Sequence, residues 1–434
     1  MQRRLLNRKS GRGAAVALVL LCLLAAGSVQ RASAQKMRAM GPAATPSGEP
    51  IVIGSTLSLT GAFGATGAVH KVAGETYVKY INANGGLLGR PVQWKLLDDE
   101  SDPAKVSALY ERLISQERVD LIMGPYATPN IVAAMAVAER HGYVLPNHTA
   151  VLTYALTYRC QFPTWSTGGR PNLEVPRFIF QTLKTQKQPP KRIAFVTNTG
   201  GSTNFISYGP PGSSEGGAVS EAQKAGFNVV LDLKYPPSVS DWGSIAAQVR
   251  AAEPDLVWNS GLALDPVNLI QAMQQLNYRA PQFFTLFPAP GPLLAMGAAA
   301  NGVLSLSLFE PNGRLLKRMG QPAKRIVANF GAAAKAAGLP YKVFDTQAAA
   351  SWSAWETLVA GVRGTKSLDN GKICDYLLAN GAKTTFIGNL KFDQQQHNFP
   401  PNQSALKQIQ SSRWVVVWPQ RLRVAKLLAP GGLK

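Results

Sequence analysis

Histidine and cysteine are scarce in this chain and stand at no metal-ligand spacing, which argues against a zinc site. Four His and three Cys occur among 434 residues, with no cysteine pair at a ligand spacing. The few histidines offer no Ser-His-acid triad by sequence, and Gly-x-x-x-x-Gly-Lys-Ser/Thr occurs nowhere, which removes the phosphate loop. Acidic residues are short too: 24 Asp and Glu stand against 45 Lys and Arg, a formal net charge of +21. Those basic residues are scattered, without a dense patch interleaved with aromatics, so they read as a solvated surface and not as a nucleic-acid footprint. The one long apolar run lies at the very start.

That run, residues 14–26, follows Arg3, Arg4, Arg8, Lys9 and Arg12 and precedes Ala32-Ser33-Ala34. A basic front, a short apolar stretch and a small-residue site are the parts of an export signal, with cleavage expected before Gln35. The run is shorter than the roughly 20 residues of a comfortable membrane span. An uncleaved anchor is the alternative. Cys22 follows Leu20-Leu21, which does not suit a lipid-attachment site. Six basic residues leave with the signal, so the mature chain keeps a charge of about +15. About 400 residues remain, more than one hydrophobic core normally serves, which predicts two domains. Cys160 and Cys374 stay behind; in an oxidising compartment they either pair or remain as two buried thiols.

Residues 35–50 hold Ala, Pro, Ser and Gly with little to bury and are expected to be a disordered lead-in. Beyond them β-rich runs alternate with helical stretches. Strands are predicted at 51–54, 92–97, 121–123 and 143–145, with helices at 69–81, 103–116 and 130–141 between them. A Thr-, Gly- and Pro-rich segment, 162–171, reads as a crossing between domains. The rhythm then restarts, with strands at 192–196, 228–233, 255–258 and 283–286 and helices at 218–226, 241–252 and 266–276. Such alternation predicts parallel sheets covered on both faces. The last third supplies strand-like runs at 302–309, 388–392 and 414–418 and helices at 322–337 and 346–362, which complete the two earlier units. The expectation is an α/β clamshell of two lobes joined by a multi-strand hinge. Lobe I takes 51–163 plus 306–388, and lobe II takes 164–305 plus 389–434.

Several motifs occur in a telling order: Ile53-Gly54, Leu59-Thr60-Gly61, Ile81-Asn82-Ala83-Asn84-Gly85-Gly86, Asp98-Asp99 with Asp102-Pro103, and Met123-Gly124-Pro125-Tyr126 followed by Ala127-Thr128. Together they resemble the opening of type I periplasmic solute-binding proteins of the leucine/isoleucine/valine transport class. Weaker matches at Asp241-Trp242 and Asp255-Leu256-Val257 extend the resemblance over essentially the whole mature chain. It implies a periplasmic, monomeric clamshell that holds a small solute between its lobes and hands it to the membrane permease of an ATP-driven importer, with no cofactor and no catalysis.

Ligands of α/β sheets sit beyond the carboxyl ends of strands, which nominates three loops of the first lobe. In the first, Phe63 either walls the ligand or packs its own loop. The Tyr126-Ala127-Thr128 turn offers a hydroxyl and N–H groups ahead of a helix, suited to a carboxylate; Thr128 could instead cap that helix. The resemblance implies that this turn grips an α-carboxylate through Thr128. In the third loop it points to Thr149, with His148 either contributing or only packing. In the second lobe it points to Tyr208, to Leu262 where relatives place an aromatic, and to the strand end at Phe287, where relatives place an acid. Residues 283–288 carry no acid. Asp265 is the nearest substitute, unless it merely begins the helix at Pro266. A buried ammonium without a carboxylate partner is costly, so the cleft is expected to prefer a ligand with no free α-ammonium. The Asp98-Asp99-Glu100 cluster reads as a solvated turn and not as a catalytic or metal group. A sensor that docks on a membrane partner is the competing function, ahead of an enzyme.

Overall fold

A computed structural model describes residues 45–428; the expected export signal lies outside the described residues. Part of the expected lead-in is held in place. Ser47 N–H donates to the Gly89 carbonyl, and the Arg90 guanidinium donates to the carbonyls of Glu49 and Pro50.

The first lobe is built on β1 (Ile51–Leu57), flanked in parallel by β2 (Val92–Asp98) and β3 (Leu121–Ile122). A parallel pair, β4 (Leu145–Asn147) and β5 (Gln161–Pro163), continues this layer, because the Gly124 N–H beyond β3 donates to the Pro146 carbonyl at 2.8 Å. Only glycine allows that approach: a Cβ on Gly124 would stand 2.8 Å from the Asn147 Cβ. The helix Thr346–Thr365 is buried along almost its whole length. It packs against the helix Gly64–Ala83, with Tyr77 edge-on to Trp352 at 4.8 Å and stacked on Trp355 at 5.7 Å.

The second lobe is a seven-stranded sheet. Its parallel part runs through β6 (Arg192–Asn198), β7 (Asn228–Tyr235), β8 (Leu256–Ala263), β9 (Gln282–Pro288) and β10 (Leu304–Ser307). A short antiparallel pair, β11 (Ala382–Lys383) and β12 (Asn389–Leu390), with β11 against the helix Thr346–Thr365, precedes β13 (Ala405–Gln410) and β14 (Arg413–Trp418). These last two close the large sheet antiparallel, in the order β14-β13-β10-β9-β8-β6-β7. The central strands β8 and β9 are buried on both faces, which is why they read as continuous apolar runs. Trp258 is their core, with Phe284 at 4.3 Å and Phe180 at 5.1 Å between ring centroids.

The chain passes between the two sheets three times, after β5, after β10 and before β13. The second passage is pinned by Thr346, whose hydroxyl oxygen accepts from the N–H groups of Leu308 and Phe309. Beside it Lys407 Nζ meets Glu310 Oε1 at 2.6 Å in a buried ion pair. The sequence reading missed the helices Pro171–Lys184, Gly201–Tyr208, Pro290–Ala295, Gly313–Met319 and Asn370–Asn380 and the strands β5, β11 and β13. The expected 103–116 helix is α-helical only over Pro103–Glu111 and widens into a π turn over Arg112–Gln116.

The open question about the cysteines is answered: Cys160 and Cys374 form a disulfide across 214 residues, tying the segment before β5 to the helix Asn370–Asn380. Thiol titration of the unreduced, denatured mature protein should find no free thiol. Cys374→Ser should lower unfolding stability by about 2–4 kcal/mol, since closing a long loop constrains the unfolded chain. Two titratable thiols would contradict the pairing.

Candidate ligand cleft

The carboxyl ends of the two sheets face one another across a narrow cavity. Tyr126, Ala127, Thr128, Thr149, Val151 and Gln347 line its first-lobe side. Ser202, Leu262 and Phe287 line the second-lobe side, and Trp165, on the passage between lobes, closes the back. Trp165 meets Phe287 edge-on at 6.3 Å, a contact made directly across the cleft. The space is small, about 20 Å³, where one water needs roughly 10–15 Å³. Larger hollows lie elsewhere. One of about 390 Å³ sits at the opposite end of the second sheet, around Met273 and Val303, and one of about 560 Å³ beside the chain passage at Glu310. The first lies at the amino ends of its strands, and the second, although Ser307 ends β10, takes in no residue of the loops after β3, β4 or β6, so the small cavity, lined by those loops, is the candidate site.

The first-lobe wall is shaped by two adjacent carboxylates. Asp99 is fully buried and accepts from the hydroxyls of Thr56 at 2.7 Å and Ser58 at 2.6 Å and from the Ser101 N–H. Burial pushes its carboxyl up, against those three donors. On Asp98 burial also pushes upward, but the N–H groups of Glu100, Leu59 and Thr60 and the Thr60 hydroxyl outweigh it and hold the carboxyl down. The expected solvated turn is therefore a structural lock. The Ser58 oxygen, its proton committed to Asp99, accepts from the Asn130 amide at 3.3 Å, which ties in the helix that follows the Tyr126-Ala127 turn. Gly67, in the helix behind, lies against the Ser58 carbonyl where no Cβ would fit.

Six of the ten residues nominated from sequence come together on the cavity: Tyr126, Ala127, Thr128, Thr149, Leu262 and Phe287. Thr128 does not cap its helix; Ala127 holds the cap position, and the Thr128 hydroxyl donates to the Thr149 carbonyl at 3.2 Å. Its lone pairs are left for a ligand. The Thr149 hydroxyl and the Trp165 indole N–H are buried without any protein partner.

Four nominated residues do not line the cavity. Phe63 packs edge-on against Tyr126 at 5.9 Å and so supports the wall from behind. His148 points away from the cleft, opposite to Thr149, and stacks on His70 at 4.1 Å. Tyr208 ends an eight-residue helix whose first turn supplies Ser202, about 9 Å away along the axis. Its hydroxyl donates to Asp232 and its ring carries Lys234 at 3.8 Å. Asp265 starts the helix Asp265–Gln275 next to the cap residue Leu264, as in the alternative reading, although it is not itself the cap. One carboxylate oxygen accepts from Asn198, Tyr235 and the Leu262 N–H at 2.8, 2.9 and 3.0 Å. It ties β6, β7 and β8 together and positions Leu262; it does not face a ligand.

Sequence reasoning missed Val151, Trp165, Ser202 and Gln347. A lone Trp inside the polar run Thr164-Trp165-Ser166-Thr167 was a usable signal. Gln347 had none, because only the fold brings a residue nearly 200 positions later beside Thr149.

Two α/β lobes with a cleft lined from both define a ligand-binding clamshell. The sequence matches the periplasmic binding protein family over residues 50–413, and the chain belongs to that family. It is a family of solute-binding proteins, not of enzymes, and places the protein outside the cytoplasm. The chain is 23% identical over 350 residues to the Leu/Ile/Val-binding protein BraC3 of Rhizobium johnstonii, covering 79% of this chain and 88% of that one. It is 26% identical over 220 residues to a chemotactic signal transduction system substrate-binding protein, BasB, of Halobacterium salinarum, and the match spans 48% of this chain and 49% of BasB. In fold it is similar to the Streptococcus pneumoniae substrate-binding protein LivJ in complex with isoleucine, with a TM-score of 0.67, 16% identity, and 86% of this chain and all of that one covered. A solute-binding protein from R. palustris in complex with benzoate is equally similar, with a TM-score of 0.67, 19% identity and coverage of 85% and 96%.

Burial depresses both histidines behind the cleft: His148 is pushed down to about 3, and His70 is lowered by burial and by His148. The unfolded chain binds these protons below about pH 6.5 and the folded chain does not, so stability is full above that pH and falls as pH drops toward 3. His148→Phe should lose about 2 kcal/mol less than wild type between pH 7 and pH 5, read by urea unfolding. Equal losses would show that His148 titrates normally in the folded state.

Proposed function

We propose that the chain is the solute-receiving component of an ATP-driven importer and works as an exported periplasmic monomer. It captures a small carboxylate or amide with an apolar body and no free α-ammonium. The observation that carries this reading is chemical: none of the residues lining the cavity is acidic, while the Trp165 N–H and Thr149 hydroxyl are buried and unpaired. An indole N–H donates only, and so asks for an acceptor oxygen. Leu262, Phe287 and Val151 offer apolar surface for the rest of the molecule. The likeness to BraC3 supports amino-acid-like solutes, and the likeness to the benzoate-bound protein supports an acid without an ammonium.

The lobes proposed are 51–163 plus 306–388 and 164–305 plus 389–434. With so little space in the cleft, entry needs the lobes to part at the three chain passages. Solute then favours a closed form, its lobes set somewhat wider than here, by binding it better than the open one. The likeness to BasB favours a second reading, a sensor that reports closure to a membrane partner.

Thermal unfolding of mature protein, from Gln35 onward, tests the ligand class. 4-Methylpentanoate, its amide and benzoate at 100 times their dissociation constants should each raise Tm by about 5 °C, with leucine, isoleucine and valine silent. Stabilisation by leucine, isoleucine or valine would overturn the missing-ammonium argument.

A further inference from the structure

Gln347 enters the cleft from neither set of nominated loops. It lies in the first turn of the helix Thr346–Thr365, 5% exposed, and Asp345 fixes that turn by accepting from the N–H groups of Gln347 and Ala348. Its side chain lines the cavity beside Thr128 and Thr149 and opposite Leu262 and Phe287. On its inner side Gln347 Oε1 lies 3.2 Å from His70 Nε2, and both residues are buried. His70 is itself held by rings, stacked on His148 at 4.1 Å and tilted against Tyr126 at 4.9 Å.

The tautomer of His70 decides what Gln347 shows to the cleft. His70 Nδ1 has no hydrogen-bond partner. A proton on Nδ1 would leave a buried N–H orphaned, whereas a proton on Nε2 leaves only a bare lone pair, and orphaned donors are the rarer and costlier case. The proton therefore belongs on Nε2, which donates to Gln347 Oε1. The carboxamide is then anchored by its oxygen, and its NH2 group is left for the cavity.

We propose that Gln347 is a specificity-determining residue of the cleft, whose NH2 group donates to an acceptor oxygen of the solute, and that His70 is the positioning residue that sets this orientation. The inference rests on the cleft being the solute site. With Trp165 and Thr149 it makes three donors converging on one region from separate parts of the chain. Gln347 thereby adds discrimination: a carboxylate oxygen accepts from its NH2, whereas a second NH2 on the ligand would oppose it.

Two measurements test this. Calorimetric titration with 4-methylpentanoate should show about tenfold weaker binding in Gln347→Ala and at least thirtyfold weaker binding in Gln347→Glu, where a carboxylate replaces the donor, with Tm little changed. In His70→Phe the side chain of Gln347 is free to turn, so the ratio of 4-methylpentanoate to 4-methylpentanamide affinity should fall several-fold; a purely structural role would weaken both alike. Long-range proton–nitrogen NMR of the unliganded protein should find His70 protonated at Nε2. A proton on Nδ1, or unchanged affinity in Gln347→Glu, overturns the inference and leaves the cleft reading standing. A wild-type protein that takes no carboxylate or amide removes both.

Discussion

The cleft exists in its present shape because Asp99 is buried. A carboxylate sunk at the ends of β1 and β2 must be surrounded by donors, and it gathers Thr56, Ser58 and the Ser101 N–H to satisfy itself. That requirement bends the 58–63 loop back over the strand ends, and Asp98 holds the same loop from outside. The Ser58 oxygen then accepts from the Asn130 amide, so the helix that follows Ala127 is positioned through the same group. Removing one donor would leave a buried charge short of partners, a cost of about 1–3 kcal/mol. The loop thus has little freedom to drift.

Asp265 plays a matching part in the second lobe. Its three donors come from three strand ends, and the last of them is the backbone of Leu262, a wall of the cavity. Both lobes therefore spend their carboxylates on architecture, and the cleft itself is left with neutral donors and apolar surface. A site of this kind recognises oxygen acceptors and hydrocarbon. Two buried neutral histidines behind it extend the pattern, since they orient an amide without adding charge.

The fold was legible because buried parallel strands are written as short apolar runs between turns: β6, β8 and β9 were each found this way. Helices opening with proline were harder. Pro171–Lys184 holds a second proline, Pro176, which reads as a breaker, yet the helix runs on past it without the hydrogen bond to the Asn172 carbonyl. The two-residue strand β11 is too short to carry any period, whereas its partner β12 falls inside the run expected at 388–392. On the site, the first-lobe turn and Thr149 were readable because they directly follow strands. Tyr208 lies off the cavity, and Phe63 took the packing alternative, because a sequence position next to a loop says nothing of which way a side chain points. Gln347 and His70 were out of reach, since their pairing spans 277 residues and no local pattern announces it.

The central claim is that solute is held between the lobes by their closing together. Spin labels at Ala62→Cys and Leu264→Cys, on the two lips of the cleft, would report the interlobe distance in the full mature protein. The account predicts a broad, longer distance without ligand, which shortens and narrows as 4-methylpentanoate is added, with a midpoint at its dissociation constant. A ligand that binds while the distance distribution stays unchanged would contradict closure and move the site elsewhere.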